Sequence, residues 1–303
     1  YNFNTENWRI VMELTSLTKK QTLWVFLVTY LLAIFIGALT LLYGINNEYD
    51  IVLTTLASTV FMTVVIFFFS NITKNASLYD PYWSVIPIVI VIEWILIYKN
   101  LSINVILLLI AVLVWGIRLT LNWWKNWSDF KHQDWRYTHL RNQAPKLYFV
   151  TNFFGIHMIP TLVVYIQLIN AHDVMQYQSI NAIFIIGFIL SLSAAAIQFI
   201  ADKQMYDFRM NNKTKSSCID EGLWKYSRHP NYLGELTFWI GIYLMYFSFV
   251  RVINKNIAYP ILMILLFMFI SIPMMEKKLQ NRPGYQEYKE KVSMLIPYRK
   301  KTQ

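Results

Sequence analysis

An arginine, a histidine, an asparagine and a glutamate fall within eight residues of a stretch that begins polar and basic and runs into an apolar segment: Arg228, His229, Asn231 and Glu235 in GLWKYSRHPNYLGELTFWIG, Gly222 to Gly241. Pro230 favours a helix start at or just before Asn231 and biases His229 towards extended backbone. Beyond it Asn231, Glu235, Phe238 and Trp239 share one helical face, and Gly234 leaves a gap where a ligand or a backbone can come close. Arg228 and His229 precede the helix N-terminus, whose free N–H groups and positive dipole end favour anions. A basic pair there suits a phosphate; the asparagine offers amide hydrogen bonds, and the glutamate accepts from a ribose or an amide. A capped transmembrane helix with a basic flank accounts for Arg228 and His229, and poorly for Asn231 and Glu235 together.

The elements that must position these groups are apolar. Of 303 residues, 56% are hydrophobic and 15% charged, against about 25% charged in soluble domains. Eight apolar runs of bilayer-crossing length cover 22–44, 51–70, 83–98, 103–121, 147–169, 181–200, 231–249 and 257–274. The third is short and carries Pro87, so a tilt, kink or partial re-entry is expected there. The expected fold is all-α: a polytopic bundle of about eight transmembrane helices, with a lead at 1–21 and one membrane domain over 22–303. Within that domain, 22–121 are assigned to substrate and 122–303 to cofactor. The lead lacks the charged n-region and apolar h-region of a signal peptide.

Charge sets the expected orientation. With eight crossings, the basic residues of the lead, of Asn122–Lys146, of Ala201–Arg228 and of Met275–Gln303 all fall on one side, leaving only Lys99, Arg251 and Lys255 opposite. The positive-inside rule puts that side, with both termini, in the cytoplasm. The three later segments carry net charges of +3, +2 and +5, a basic cap suited to a polyanion or to anionic lipid. Basic residues confined between and after apolar runs speak for a membrane face rather than nucleic acid. A lone cysteine, Cys218, excludes an internal disulfide and a cysteine-based metal cluster, and no metal is expected.

Charged side chains inside a bilayer are functional candidates by default. Glu93, Arg118 and Glu235 qualify. Arg118 lies near the end of its run, at about the depth of SLYDPYWS, so Asp80, Tyr82 and Trp83 are its expected neighbours and Asp80 its expected ion-pair partner. Snorkelling explains Arg118 equally well, and a packed, protonated carboxyl explains Glu93. Gln198, Asp202, Met205, Tyr206 and Arg209 recur at three- and four-residue spacing, lining one face of a helix that leaves the membrane, or simply decorating a solvated helix end.

Taken together, DKQMYDFR at Asp202–Arg209, the Gly222–Gly241 stretch, then EKKL, PGYQEYK and LIP near the tail resemble the steroid 5-alpha-reductase superfamily. The resemblance is strongest to its membrane branch known as domain of unknown function 1295, which YDPYWS at Tyr79–Ser84 and QDWRY at Gln133–Tyr137 also match. It implies an NADPH-dependent reductase of an activated C=C bond in a membrane-embedded, lipid or steroid-like substrate. Hydride would pass to the β-carbon and a proton to the α-carbon. Asn231, with Tyr232, Glu235 and Trp239 around it, would hold the nicotinamide or its ribose. Asp202 and Arg209 would hold ribose and phosphate, Arg228 and His229 phosphate, and Lys277, Arg282 and Tyr285 the adenosine end.

One departure from the superfamily bears on catalysis. Its substrate-polarising tyrosine lies three residues before a helix arginine; if that is Arg118, the position here is Trp115, which has no acidic hydroxyl. Asp80, Tyr82 and Glu93, together with Arg118, are then the candidates for stabilising developing charge and delivering the proton, although Glu93 lies about 15 Å deeper than Arg118 at helical rise.

The Arg-His-Pro-x-Tyr signature also occurs in membrane methyltransferases of the isoprenylcysteine carboxyl type, which makes S-adenosylmethionine the alternative cofactor. A non-catalytic lipid-binding membrane protein is the third reading. In each case the partners are the bilayer and a hydrophobic small molecule, in a bacterial plasma membrane or the endoplasmic reticulum, with the cofactor site on the cytoplasmic side.

Overall fold

The computed structural model describes residues 16–211 and 218–297. The basic residues Arg9, Lys213, Lys215, Arg299, Lys300 and Lys301 lie outside them. Eight helical spans are long and apolar enough to cross a membrane, and each falls on one of the eight expected runs. They are α1 (Lys19–Asn46), α2 (Ile51–Ile72), the span Ala76–Tyr98 that contains α3 (Tyr82–Tyr98), α4 (Ile103–Asn126), α6 (Pro145–Val174), α7 (Ala182–Asn211), α8 (Pro230–Val250) and α9 (Lys255–Leu279). Two short helices, α5 (Trp135–Gln143) and α10 (Tyr285–Lys291), lie between and after them. There is no strand among the described residues, only an isolated bridge between Ser227 and Ser293.

Local chemistry sets the ends. Thr18 and Gln21 form a reciprocal capping box on α1, and the Asp50 carboxylate caps α2 at the Leu53 N–H. The third run is longer than its hydropathy suggests, because a 3₁₀ turn at Ala76–Tyr79 precedes α3. The helix of α3 runs on through Pro87; so close to its start, the missing N–H removes only an early bond. Two spans depart from α geometry: α6 contains a π-helical segment at Thr151–Met158 and α9 one at Phe267–Ser271.

By packing, the chain forms two compact units, Tyr1–Ile90 with Leu119–Ile166, and Val91–Arg118 with Gln167–Gln303. In the first unit α1 lies along α2, and Phe26, Leu78, Trp127 and Phe130 make a buried aromatic core. In the second, α7 and α8 form the most extensive helix pair. Their backbones touch: a Cβ added at Gly187 would lie 2.7 Å from the Gly241 carbonyl oxygen. Ser191 and Ala194 continue this seam of small residues, the usual device for close helix approach in lipid. Large apolar side chains such as Trp24, Phe35, Phe68, Ile186 and Phe269 point outward, as lipid-facing surfaces require.

Candidate functional site

The α7–α8 seam leads directly to a buried chain of polar groups. Gly234, where the sequence leaves a gap, meets the Gln198 side chain and the Ala194 carbonyl, so a neighbouring helix takes that space. Beside it the Glu235 carboxylate, 4% exposed, accepts three side-chain hydrogen bonds. Gln198 Nε2 donates to Oε2 at 2.7 Å, Trp115 Nε1 to Oε2 at 3.0 Å and Trp239 Nε1 to Oε1 at 2.8 Å. Gln198 Oε1 accepts from Arg118 Nη2 at 2.8 Å, and Arg118 Nη1 pairs with Asp202 Oδ2 at 2.7 Å. Trp115 also stacks on Phe238, with centroids 4.9 Å apart. Three helices, α4, α7 and α8, thus hold two carboxylates and a guanidinium in one continuous run, Asp202–Arg118–Gln198–Glu235. Each charge has a partner, as burial in an apolar medium demands.

This corrects the expectation for Arg118. Its ion pair is with Asp202, not Asp80, so it belongs with the cofactor candidates. Trp115 gains a role as well: its indole N–H orients the Glu235 carboxylate. At the start of α8, the Asn231 Oδ1 accepts only the adjacent Tyr232 N–H at 3.1 Å. The Asn231 side-chain amide N–H₂ has no partner among the described residues, and the residue is half-buried. Of the stripe on α7, Gln198 and Asp202 are in the chain; Arg209 is exposed, its charge still acting on Asp202.

The expected phosphate pair turns inward. Arg228, 7% exposed, donates through Nε and Nη2 to Glu276 Oε1 at 2.9 and 2.6 Å. Its Nη1 donates to the carbonyls of Lys289 and Val292 at 3.1 and 2.7 Å. His229 Nε2 lies 3.5 Å from the same Glu276 oxygen and its ring stacks on Tyr232, while Lys289 completes the group at 3.2 Å. Tyr232 in turn meets Phe267 of the α9 π segment edge-on. Arg228 therefore stitches the tail to the start of α8, and its donors are used before any phosphate arrives. The cause is plain: the half-buried Glu276 carboxylate takes the guanidinium.

Behind Arg228 lies a small cavity of about 40 Å³ lined by Met205, Cys218, Trp224, Arg282, Tyr285 and Tyr288 among others. It has room for little more than a water molecule. Burial, reinforced by the Glu276 charge, pushes the Tyr285 hydroxyl up to about 12, and burial above all raises the Cys218 thiol. Arg282 is half-buried at its rim and Lys277 is exposed away from it.

The remaining candidates do not form one group. In the first unit Asp80 Oδ1 accepts from Tyr137 at 2.6 Å. Burial and the Asp80 charge keep the Tyr137 hydroxyl well above its ordinary pKa, hence protonated. Tyr82, buried, meets Thr63 Oγ1 at 3.2 Å. Glu93 belongs to the second unit, half-buried, with Oε2 unpartnered among the described residues. Sequence reasoning missed Glu276 as an organiser, and it missed His157 and His172, which are 0% and 6% exposed in α6. The signal was there, since histidines inside apolar runs are as notable as carboxylates.

Comparison with known proteins adds one relative and a family. An uncharacterised protein of Schizosaccharomyces pombe is 25% identical over 200 residues, covering 57% of this chain and 58% of that protein. The chain thus spans little more than half the length of the relative. No solved structure matches. A family profile described as a protein of unknown function, DUF1295, matches residues 66–292, which include every member of the buried polar chain and of the Glu276 group. The branch that the motifs resemble is thereby borne out, and the chain belongs to the DUF1295 family.

Proposed function

We propose that the protein is an NADPH-dependent reductase of an activated C=C bond in a membrane-embedded lipid. The observation that carries this reading is the chain Asp202–Arg118–Gln198–Glu235 ending beside Asn231, whose amide N–H₂ is unpartnered. Such a chain costs desolvation that apolar packing would avoid, so a polar ligand at its end is a reason to keep it. A carboxylate offers about four acceptor sites; Glu235 uses three and, with Asn231, leaves a donor and an acceptor for a carboxamide or ribose. NADPH, when bound, would supply the hydride. Gln198, Trp115 and Trp239 keep the Glu235 carboxylate in one orientation, and Arg118 holds Gln198 so that it presents its amide N–H to that carboxylate. With Arg228 committed to Glu276, the phosphates fall to the exposed Arg209 and the half-buried Arg282.

A second reading is kept for one reason: an inward-turned Arg228 weakens the match to a triphosphorylated cofactor. A membrane methyltransferase using cationic S-adenosylmethionine would need no such basic pair. Thermal shift of the full chain in detergent separates the two. NADPH is expected to raise Tm more than NADH, and S-adenosylmethionine not at all. Asn231→Ala should lose the shift while keeping the unliganded Tm, because the side chain makes only one local bond. Stabilisation by S-adenosylmethionine alone would replace the reductase with the methyltransferase, and stabilisation by neither would remove both.

A further inference from the structure

The first unit carries a buried polar system of a different kind, and we infer that it binds the hydroxyl group of an amphipathic lipid. Thr55, Thr59 and Thr63 stand one turn apart on α2, and each donates its proton back to the carbonyl four residues earlier, at 2.7–2.9 Å. They therefore face the interior as acceptors. Thr55 meets the Tyr165 hydroxyl at 2.7 Å, Thr63 meets Tyr82, and Tyr79 meets Thr161 at 2.8 Å. Every one of these hydroxyls has a partner.

His157 does not. It lies in the π segment of α6, fully buried, with its ring 4.9 Å from Tyr79 and 5.4 Å from Phe67. Its Nδ1 is 2.9 Å from the Asn152 carbonyl. A carbonyl only accepts, so Nδ1 carries the proton and the neutral ring offers a bare lone pair at Nε2. No donor reaches that lone pair among the described residues, and the Asn152 side-chain oxygen in the same π segment also lacks one. Two buried acceptors without a donor call for a ligand that brings one, at a place where the helix is wound in the manner common at functional sites. The ligand is neutral, because the charge of Asp80 is already met by Tyr137 and Arg136. It is amphipathic, because the surroundings are apolar: Phe67, against the His157 ring, packs on Phe153 at 4.9 Å, and Phe153 packs on Phe154, whose ring is exposed. A long-chain alcohol fits: hydroxyl on His157 Nε2, chain among the phenyl rings and into lipid. This goes beyond the reductase reading and stands whether or not NADPH binds.

The test uses the full chain in nanodiscs with oleyl alcohol and its methyl ether, which shares the chain and cannot donate. The alcohol is expected to bind about tenfold more tightly, the scale of one hydrogen bond to a buried acceptor. The ¹⁵N resonance of His157 Nε2 should move with the alcohol and stay with the ether. His157→Phe, which keeps an aromatic ring against Phe67 and Tyr79, should erase the preference, and His157→Gln should restore part of it. Equal binding of alcohol and ether, or a preference that survives in His157→Phe, would overturn the proposal. If His157→Phe fails to fold, the wild-type ¹⁵N response decides alone: no movement with the alcohol sinks it.

Discussion

The two units bury polar groups by opposite strategies. The second concentrates charge: Asp202, Arg118, Glu235, Arg228 and Glu276 each have a close partner, from a different helix or segment. The first distributes hydroxyls: threonines and tyrosines on α2, on α3 with the turn before it, and on α6 bond in pairs, and the His157 Nε2 lone pair and the Asn152 side-chain oxygen are among the groups left over. Charge in an apolar medium is tolerated only when paired, so removing one partner leaves a large penalty. A hydroxyl that loses its partner can usually fall back on a backbone carbonyl, so the same operation is mild. The charged system is thus rigid and demanding; the neutral one can admit a guest.

The contrast can be broken most forcefully at Arg118. Arg118→Met should destabilise the protein by about 3–5 kcal/mol by stranding Asp202 and Gln198, read as a fall in Tm in detergent. The double variant Arg118→Met/Asp202→Leu should recover most of that loss; if it is no more stable than the single one, the pair is not what fixes α4 to α7. Glu235→Gln comes next. An amide donor facing two indoles and Gln198 should cost about 2 kcal/mol. Cofactor stabilisation should fall with it, and an unchanged NADPH shift would remove Glu235 from the site. In the hydroxyl network of the first unit, Tyr82→Phe loses the bonds to Thr63 and to the Thr59 carbonyl and should cost about 1 kcal/mol; a loss as large as that of Arg118→Met would erase the contrast. The smallest effect concerns Cys218. Its thiol is raised by burial, so the thiolate is scarce at pH 8 and maleimide labelling should be slower than for free cysteine, quickening as pH climbs. Labelling at the free rate would mean that the cavity beside Tyr285 stands open.

The sequence made the spans legible, because crossing length and hydropathy are properties of a run and need no partner. It also showed that Gln198, Asp202 and Glu235 lie on consistent helical faces. It did not show that Arg118 belongs with them, since its partner Asp202 is 84 positions away and periodicity says nothing of which helices are neighbours. Arg228 misled for a related reason. Read locally it is a cation at a helix start, yet the carboxylate that claims it is 48 residues later. His157 was visible as a histidine inside an apolar run, but its neighbours were not: in a π-helical segment the spacing of faces differs from 3.6, so an α template does not place its ring.

The bonds from Arg228 to the carbonyls of Lys289 and Val292, with the Ser293 carbonyl accepting the Arg228 backbone N–H at 2.9 Å, also set an order of events in synthesis. The Arg228 clasp before α8 cannot form when that residue is made, because its acceptors lie 61 and 64 residues further along the chain. Until then the guanidinium must remain in water or at lipid headgroups. The basic end of the second unit is therefore finished last, and a product cut short before Val292 would carry every membrane span and still lack the clasp that closes them.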